Sequence, residues 1–269
     1  MRGIPRKKIV LGDGKEIKQP DSYGIFIWMG LLIALIVSIK VTGFDLSVLI
    51  KRGDEFFVIL LRMIPPDFSY ISYIWKPLFD TIKMSLLGSI FGAILAVPFA
   101  VLGSTNIVKS RIVTIVTRLF FSVMRTLPTL VTALIATYLF GLGTIAGTFS
   151  IFVFTFSYVG KLLYEQIETV DMGAYEVLES MGATKPKALA VTILPQILPA
   201  YIANCLFCFE GNVRYASILG YVGAGGLGMI LNEKIGWKEY DRVGMILLML
   251  LLTVFIIEYT SHKIRKRLM

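Results

Sequence analysis

Four groups of residues in this chain have types and spacings that could do chemistry. Glu210 and Arg214 stand four residues apart inside an apolar run. An acid four residues ahead of a base can pair with it along one helix face. Charges inside a membrane-crossing run usually line a bundle interior or an aqueous path. The two therefore read either as a self-neutralised pair that orients its helix or as a pathway or gating element. An Arg already balanced by Glu is a weak trap for an anion, which suits a conduit that must release its cargo. Gly223-Ala-Gly-Gly-Leu-Gly228 matches G-x-G-x-x-G. A dinucleotide site would also need a preceding strand, a following soluble helix and an acid about 20 residues on. These glycines lie between two apolar runs instead, so a turn with positive φ and close helix approach is expected. Cys205 and Cys208, as C-L-F-C, could form a redox dithiol, but three residues apart on an apolar helix they are expected simply to pack. Outside these groups, His262 stands alone beside a basic C-terminus, with no second metal ligand near it, and reads as solvated or headgroup-facing. The fourth group, Glu176 to Pro195, is a mostly polar segment in a chain of long apolar runs.

The elements that carry these residues follow from composition. Of the 269 residues 56% are hydrophobic, and the mean hydropathy of +0.75 is too high for an ordinary soluble domain. Several runs approach the roughly 20 residues needed to cross a bilayer. In lipid each must satisfy its own backbone hydrogen bonds, so an all-α, polytopic membrane protein is expected. Six spans are predicted, at about 23–40, 82–103, 120–141, 144–161, 197–219 and 243–261. Pro98 is expected to kink the second. Gly88 and Gly92 form a G-x-x-x-G there, either to admit a neighbouring helix or as ordinary membrane-helix composition. The run from Tyr23 to Ile39 lacks a small-residue cleavage site and reads as an uncleaved first span rather than a signal peptide.

The net charge of +9 is placed for topology rather than for nucleic acid. Arg2, Arg6, Lys7, Lys8, Lys15 and Lys18 precede the first span; Lys109, Arg111, Arg118 and Arg125 lie around the second and third. Lys161, Lys185 and Lys187 lie between the fourth and fifth, and Lys263, Arg265, Lys266 and Arg267 follow the last. With six spans all four groups fall on one side, the cytoplasm, together with both termini. The nearly balanced loop at about 41–78 would face outside. This divides the chain into a cytoplasmic tail (1–22), a first span with its outer loop (23–75) and a domain with the remaining spans (76–269). That last domain would hold a cytoplasmic loop at about 162–196.

Within that loop Tyr175, Leu178 and Met181 are expected to share one apolar helix face, with Glu176, Glu179 and Ser180 turned away. Gly182 should end the helix, in a left-handed cap or a break. Thr184 can cap a second helix with Lys185 and Pro186 at its start. Leu194-Pro195 should end that helix and turn the chain into the fifth span. An interfacial helix lying on lipid is the bland alternative, but its polar face would usually be basic, and this one is acidic. No Walker A sequence occurs, so any ATP that drives the protein is bound by another chain.

The segment resembles the "EAA" loop of bacterial ABC importer permeases, with Glu176, Gly182, Leu194 and Pro195 at the matching positions. Val177 and Leu178 replace the usual alanines and Thr192 an isoleucine. Arg125–Leu134, Gly160–Glu168 and above all Phe209–Gly228 look like the phosphonate-importer permease (PhnE-type) family; the resemblance runs from about Lys76 to the C-terminus. It implies a type I importer fold and a subunit that is not itself an enzyme. It implies import of phosphonate, phosphite or phosphate. It implies a bacterial plasma-membrane location, with membrane lipid around the spans. The partners implied are a second copy of the chain, two cytoplasmic ATPases holding ATP and Mg, and an extracytoplasmic binding protein. Glu176, Leu178, Met181, Gly182, Ala183, Thr184, Pro186, Leu194 and Pro195 would form the ATPase-coupling loop, and Glu210, Asn212 and Arg214 would lie on the translocation path. No cofactor or metal is expected on this chain. A permease for another small solute such as methionine is the alternative. A membrane enzyme would need clustered carboxylates that the spans lack, and a passive channel would not need the 176–195 segment.

Overall fold

A computed structural model describes Lys8–Val10, Glu16–Lys18 and Gly24–Leu268. Of the basic tail, Arg2, Arg6, Lys7 and Lys15 fall outside the described residues. The chain divides into two units, 1–58 and 59–269. The division falls inside a helix rather than at the expected 75/76 boundary.

In the first unit a two-stranded antiparallel ribbon pairs β1 (Lys8–Val10) with β2 (Glu16–Lys18), Ile9 opposite Ile17. Helix α1 (Gly24–Thr42) is the first predicted span and ends at Gly43 with φ 64°. The segment expected as an outer loop is instead largely helical, as α2 (Leu46–Arg62). Asp45 explains its start: the carboxylate accepts from the Ser47 amide at 2.8 Å and satisfies a donor that the first turn leaves unpaired.

The second unit holds the bundle. After a 3₁₀ turn (Phe68–Tyr70) comes α3 (Ile71–Gly103), continuous through Pro77 and Pro98. It packs along α6 (Thr144–Thr169), which outruns its predicted end at 161. The G-x-x-x-G is the contact: a Cβ on Gly88 would lie 2.8 Å from the Thr148 carbonyl, and one on Gly92 2.8 Å from that of Phe152. Ser85, Ala93, Ala96 and Ala100 continue this buried, small-residue seam. The third predicted span is not one helix. It is α4 (Arg111–Thr126) and α5 (Thr129–Phe140), bent by 88° at Leu127-Pro128. Proline pushes the residue before it out of the helical region, and Leu127 sits at φ −72°, ψ 117°.

Beyond α6 lie two short helices, α7 (Gly173–Ser180) and α8 (Lys185–Ala188). A π-helical turn (Leu189–Ile193) then runs directly into α9 (Leu194–Leu219). Leu194-Pro195 was expected to end a helix there, but it does not. The Leu194 amide reaches back five residues to the Leu189 carbonyl, and this wider turn relieves the clash that the Pro195 ring would otherwise meet. α10 (Leu227–Gly236) and α11 (Tyr240–Leu268) complete the chain. Among the described residues five helices are long and apolar enough to cross a membrane, or six if the bent α4–α5 pair counts as one. The all-α, multi-span expectation holds, with the third span broken.

Of three buried cores among the described residues, two sit at opposite ends of the bundle. One gathers Phe121, Phe156, Leu163, Tyr175 and Ile193, with Phe121 pressed against Gly160. The other gathers Ile74, Leu78, Leu227, Val243 and Ile246. Outside the second, charges knit the loops. Lys234 pairs with Glu233 at 3.2 Å and Glu239 at 3.1 Å, and Arg242 with Glu239 at 2.7 Å and Asp67 at 3.5 Å.

Candidate functional site

The α7–α8 segment is built as a rigid knuckle. Its near footing is the end of α6. Glu168 accepts from the Thr105 amide at 2.9 Å and also bonds the Thr105 hydroxyl and Arg118. Arg118 donates to the Gly103 carbonyl at 2.8 Å and lies over the Tyr164 ring at 4.8 Å. Asn106 donates to the Ile167 carbonyl at 2.7 Å and reaches the Met172 sulfur at 3.3 Å. The α3–α4 loop is thus clamped under α7. Sequence reasoning assigned none of these four side chains to the site. Arg118 counted only as a topology charge, and Glu168 only as the last letter of a family segment.

α7 itself starts where Asp171 accepts from the Gly173 amide at 2.9 Å. It ends in a Schellman motif: the Gly182 amide bonds the Glu179 carbonyl at 3.0 Å, and the Ala183 amide bonds that of Leu178 at 3.0 Å. Gly182 has φ 86°, the left-handed cap that the sequence suggested. Leu178 and Ala183 pack on the core beside Tyr175, which is 3% exposed. The Tyr175 hydroxyl has no partner among the described residues, and burial followed by the Glu179 charge raises its pKa.

Met181 does not share the face of Tyr175 and Leu178 as expected; it is 77% exposed. At 3.6 residues per turn a residue six positions on has drifted about 120°, and the helix has ended at Ser180 besides. The outward face is Glu176, Val177, Ser180 and Met181. Thr184 occupies the N-cap of α8 and its carbonyl accepts from the Ala188 amide at 2.9 Å, but its hydroxyl makes no capping bond. Pro186, Leu194 and Pro195 are exposed.

The three polar residues of α9 separate. Glu210 and Arg214 do not pair with each other. Glu210 is 5% exposed and accepts from Arg265 of α11 at 3.1 Å. Arg214 pairs with Glu258 of α11 at 3.3 Å, and both side chains are more than half exposed. The physical reason is packing: α11 lies along α9 and offers each charge an opposite partner across the interface, whereas the i, i+4 pair gains only a few tenths of a kcal/mol. Asn212 lies on another face of α9. It is 1% exposed and donates at 2.8 Å to both Ser89 of α3 and Thr155 of α6, tying three helices. Cys208 sits 3.7 Å from the Thr155 hydroxyl, as packing predicts. Arg214 lines an open groove of about 400 Å³ between α6 and α9, with Tyr158 and Tyr215, whereas Glu210 and Asn212 are buried. His262 is exposed.

The glycine run forms the expected turn, with Gly223, Gly225 and Gly226 at φ 75°, 80° and 69°. Thr81 holds it: the hydroxyl accepts from the Leu227 amide at 2.7 Å and donates to the Pro77 carbonyl at 2.8 Å. The element leading into it is a 3₁₀ turn (Gly220–Val222) at the end of α9, not a strand, so it lacks the frame of a dinucleotide site.

Comparison with known proteins bears on this arrangement. The family described as "Binding-protein-dependent transport system inner membrane component" matches residues 88–267. The "Phosphate-import permease protein PhnE" of Mycolicibacterium smegmatis is 30% identical over 243 residues, 90% of this chain but only 45% of that protein. The "Putative phosphite transport system permease protein HtxC" of Stutzerimonas stutzeri is 32% identical over 206 residues, 77% of this chain and 73% of that one. Among solved structures, an inward-facing MetNI methionine ABC transporter chain superposes with a TM-score of 0.66 at 20% identity, over 76% of this chain and 99% of that one. That likeness is one of fold.

Proposed function

The chain belongs to the family of binding-protein-dependent transport system inner membrane components, and from that membership we propose that it is the membrane subunit of an ATP-driven importer for a phosphorus oxyanion. The observation that carries this is the α7 knuckle. Its outward face (Glu176, Val177, Ser180 and Met181) is exposed, while Tyr175, Leu178 and Ala183 fix it to the core that also holds the start of the α9 span. A short helix locked at its base can pass a rigid-body displacement into the span behind it. Glu176, Met181, Gly182, Thr184 and Pro186 contact the ATPase; Leu178 and Ala183 anchor the knuckle, and Leu194 and Pro195 continue it into α9. ATP and Mg are held by that separate subunit, and this chain carries no cofactor.

Lys109, Arg111, Arg118, Lys161, Lys185 and Lys187 lie at the α7 end, which supports a cytoplasmic location for it and a bacterial plasma-membrane setting with both termini inside. Two copies of the chain, two ATPases and an extracytoplasmic binding protein make the working assembly. The mycobacterial relative is about twice this chain's length, which suits a unit that works in pairs. Arg214 with Tyr158 and Tyr215 offers the cargo a cation and two phenols along the path, and its pairing with Glu258 keeps the hold weak. Glu210 and Asn212 serve the path by holding its walls. Phosphorus oxyanions are favoured over methionine because the phosphate and phosphite relatives align over 90% and 77% of this chain. A relative named as a D-methionine permease aligns over 43% at 28% identity.

The test uses vesicles holding the chain, its ATPase and its binding protein. Gly182→Leu, placed at φ 86°, should leave the protein in the membrane and abolish both uptake and binding-protein-stimulated ATP hydrolysis. Retention of both would remove the coupling role. Uptake of labelled methionine in preference to phosphite, phosphonate or phosphate would remove the cargo assignment.

A further inference from the structure

The α7 end of the bundle holds a second feature, which shares only Pro186 with the coupling surface. A groove of about 750 Å³ runs between the last turns of α3, the α3–α4 loop and α8. Pro98, Val101, Leu102 and Leu189 give it an apolar lining, and Lys109 and Lys185 stand in the same groove. The two lysines come from segments far apart in sequence, so their convergence is a product of the fold. Both are exposed, and neither is ion-paired among the described residues. Acids of the neighbouring α6 are engaged elsewhere, Glu168 by Arg118 and Glu165 by Lys161 at 3.2 Å. The first turn of α4, next to Lys109, holds no acid and begins with Arg111.

An apolar channel beside the ends of two spans, with uncompensated cations, is complementary to an amphiphile whose head is an anion. A lone anion would leave the apolar lining uncovered, and a neutral lipid would leave the lysines unanswered. We propose that this groove binds an anionic phospholipid, its phosphate between Lys109 and Lys185 and an acyl chain along Pro98, Val101, Leu102 and Leu189. The lipid would bridge α3 and α8 and so tie the base of the knuckle to the bilayer. Basic residues near an anionic surface contribute enough for about a fivefold preference each, so two give roughly 25-fold for an anionic over a zwitterionic headgroup.

Native mass spectrometry of the full-length chain, titrated with phosphatidylglycerol and with phosphatidylcholine, measures this preference. A single tight phosphatidylglycerol with about a 25-fold lower apparent Kd is expected. Lys109→Ala/Lys185→Ala should bring the two lipids to near parity, and Lys109→Arg/Lys185→Arg should keep the preference. Circular dichroism of both variants checks that each is folded. Lys263→Ala/Lys266→Ala removes the same charge elsewhere and should leave the preference unchanged. A preference that survives the first double variant overturns the proposal, as does one lost equally in the control. Displacement of the lipid by inorganic phosphate alone would also overturn it, showing a free-anion site. So would its release when the ATPase subunits assemble, because Pro186 lines the same groove and the ATPase would then be the occupant.

Discussion

The exchange of partners by Glu210 makes a prediction that separates tertiary structure from sequence pattern. Arg265 stands 3.1 Å from Glu210, with side-chain exposures of 23% and 6%. At that separation the Coulomb attraction is about 5 kcal/mol for an effective dielectric of 20. Desolvation of the carboxylate offsets much of it, leaving an expected coupling of about 2 kcal/mol. The two single changes should differ. Arg265→Ala strands a buried carboxylate and should cost about 3 kcal/mol. Glu210→Gln keeps an acceptor and frees an Arg that can reach solvent from near the helix end, for about half that cost. Arg214→Ala, whose ion pair is more than half exposed on both sides, should cost under about 1 kcal/mol. The assay is unfolding of the full chain in mixed micelles by increasing dodecyl sulfate, followed by helicity, with two double-mutant cycles built on Glu210. The cycle with Arg265 should report the full coupling and the cycle with Arg214 a value near zero. If the Arg214 coupling equals or exceeds that of Arg265, the inter-helix pairing is wrong and the i, i+4 pair stands.

Other expectations follow from single contacts. Gly92→Val should destabilise by about 1–3 kcal/mol or more, because its Cβ would meet the Phe152 carbonyl and Thr155 Cβ at 2.8 Å. Gly53→Ala in α2, with nothing within 4 Å, should instead raise stability by up to about 1 kcal/mol; the same micelle titration compares them. Tyr175→Phe removes a buried hydroxyl that has no partner among the described residues. It should be neutral or stabilising by up to about 1 kcal/mol, and a clear loss would show that the hydroxyl is bonded. The loop charges predict a pH window. Hydrogen bonds from Ser69, then Arg242, hold the Asp67 carboxyl below its ordinary 3.8, and those from Lys234, then Arg242, hold Glu239 below 4.5. Hydrogen bonds to Glu239 and Glu233 raise Lys234 above 10.5. Depressed carboxyls stabilise above their unfolded pKa and lose that contribution as pH falls through the folded one; the raised amine does so as pH rises. The cluster's contribution should therefore be full between about pH 4.5 and 10.5 and fade outside it. Glu239→Gln should flatten the acid limb of a thermal-stability profile; an unchanged limb refutes the assignment.

The knuckle was mostly legible in the sequence because its signals are local. Gly182 takes the left-handed conformation that side chains resist, and Thr184 and Pro186 start α8 where proline lacks only an orphan donor. What holds the knuckle was not legible. Thr105, Asn106 and Arg118 meet Glu168, Ile167 and Met172 across separations of 50 to 66 residues, and no spacing rule reaches that far.

The same division runs through the whole protein. That it crosses a membrane, roughly where each span lies, and which end the cations occupy are sums of transfer free energies along the chain. Each residue contributes there almost independently of the fold, so the sequence alone determines them. Which charge meets which is a property of pairs brought together by packing. Glu210 and Arg214 could satisfy each other on one helix, yet α11 lies beside α9 and supplies Arg265 and Glu258. The apolar pattern ran one span through Leu127-Pro128, and the fold turns the chain there through 88°. Asn212, which the family resemblance put on the translocation path, is a buried tie among three helices because Ser89 and Thr155 converge on it. In a low-dielectric interior an unpaired polar group is costly, so final partners are chosen among whatever groups the packing brings within reach.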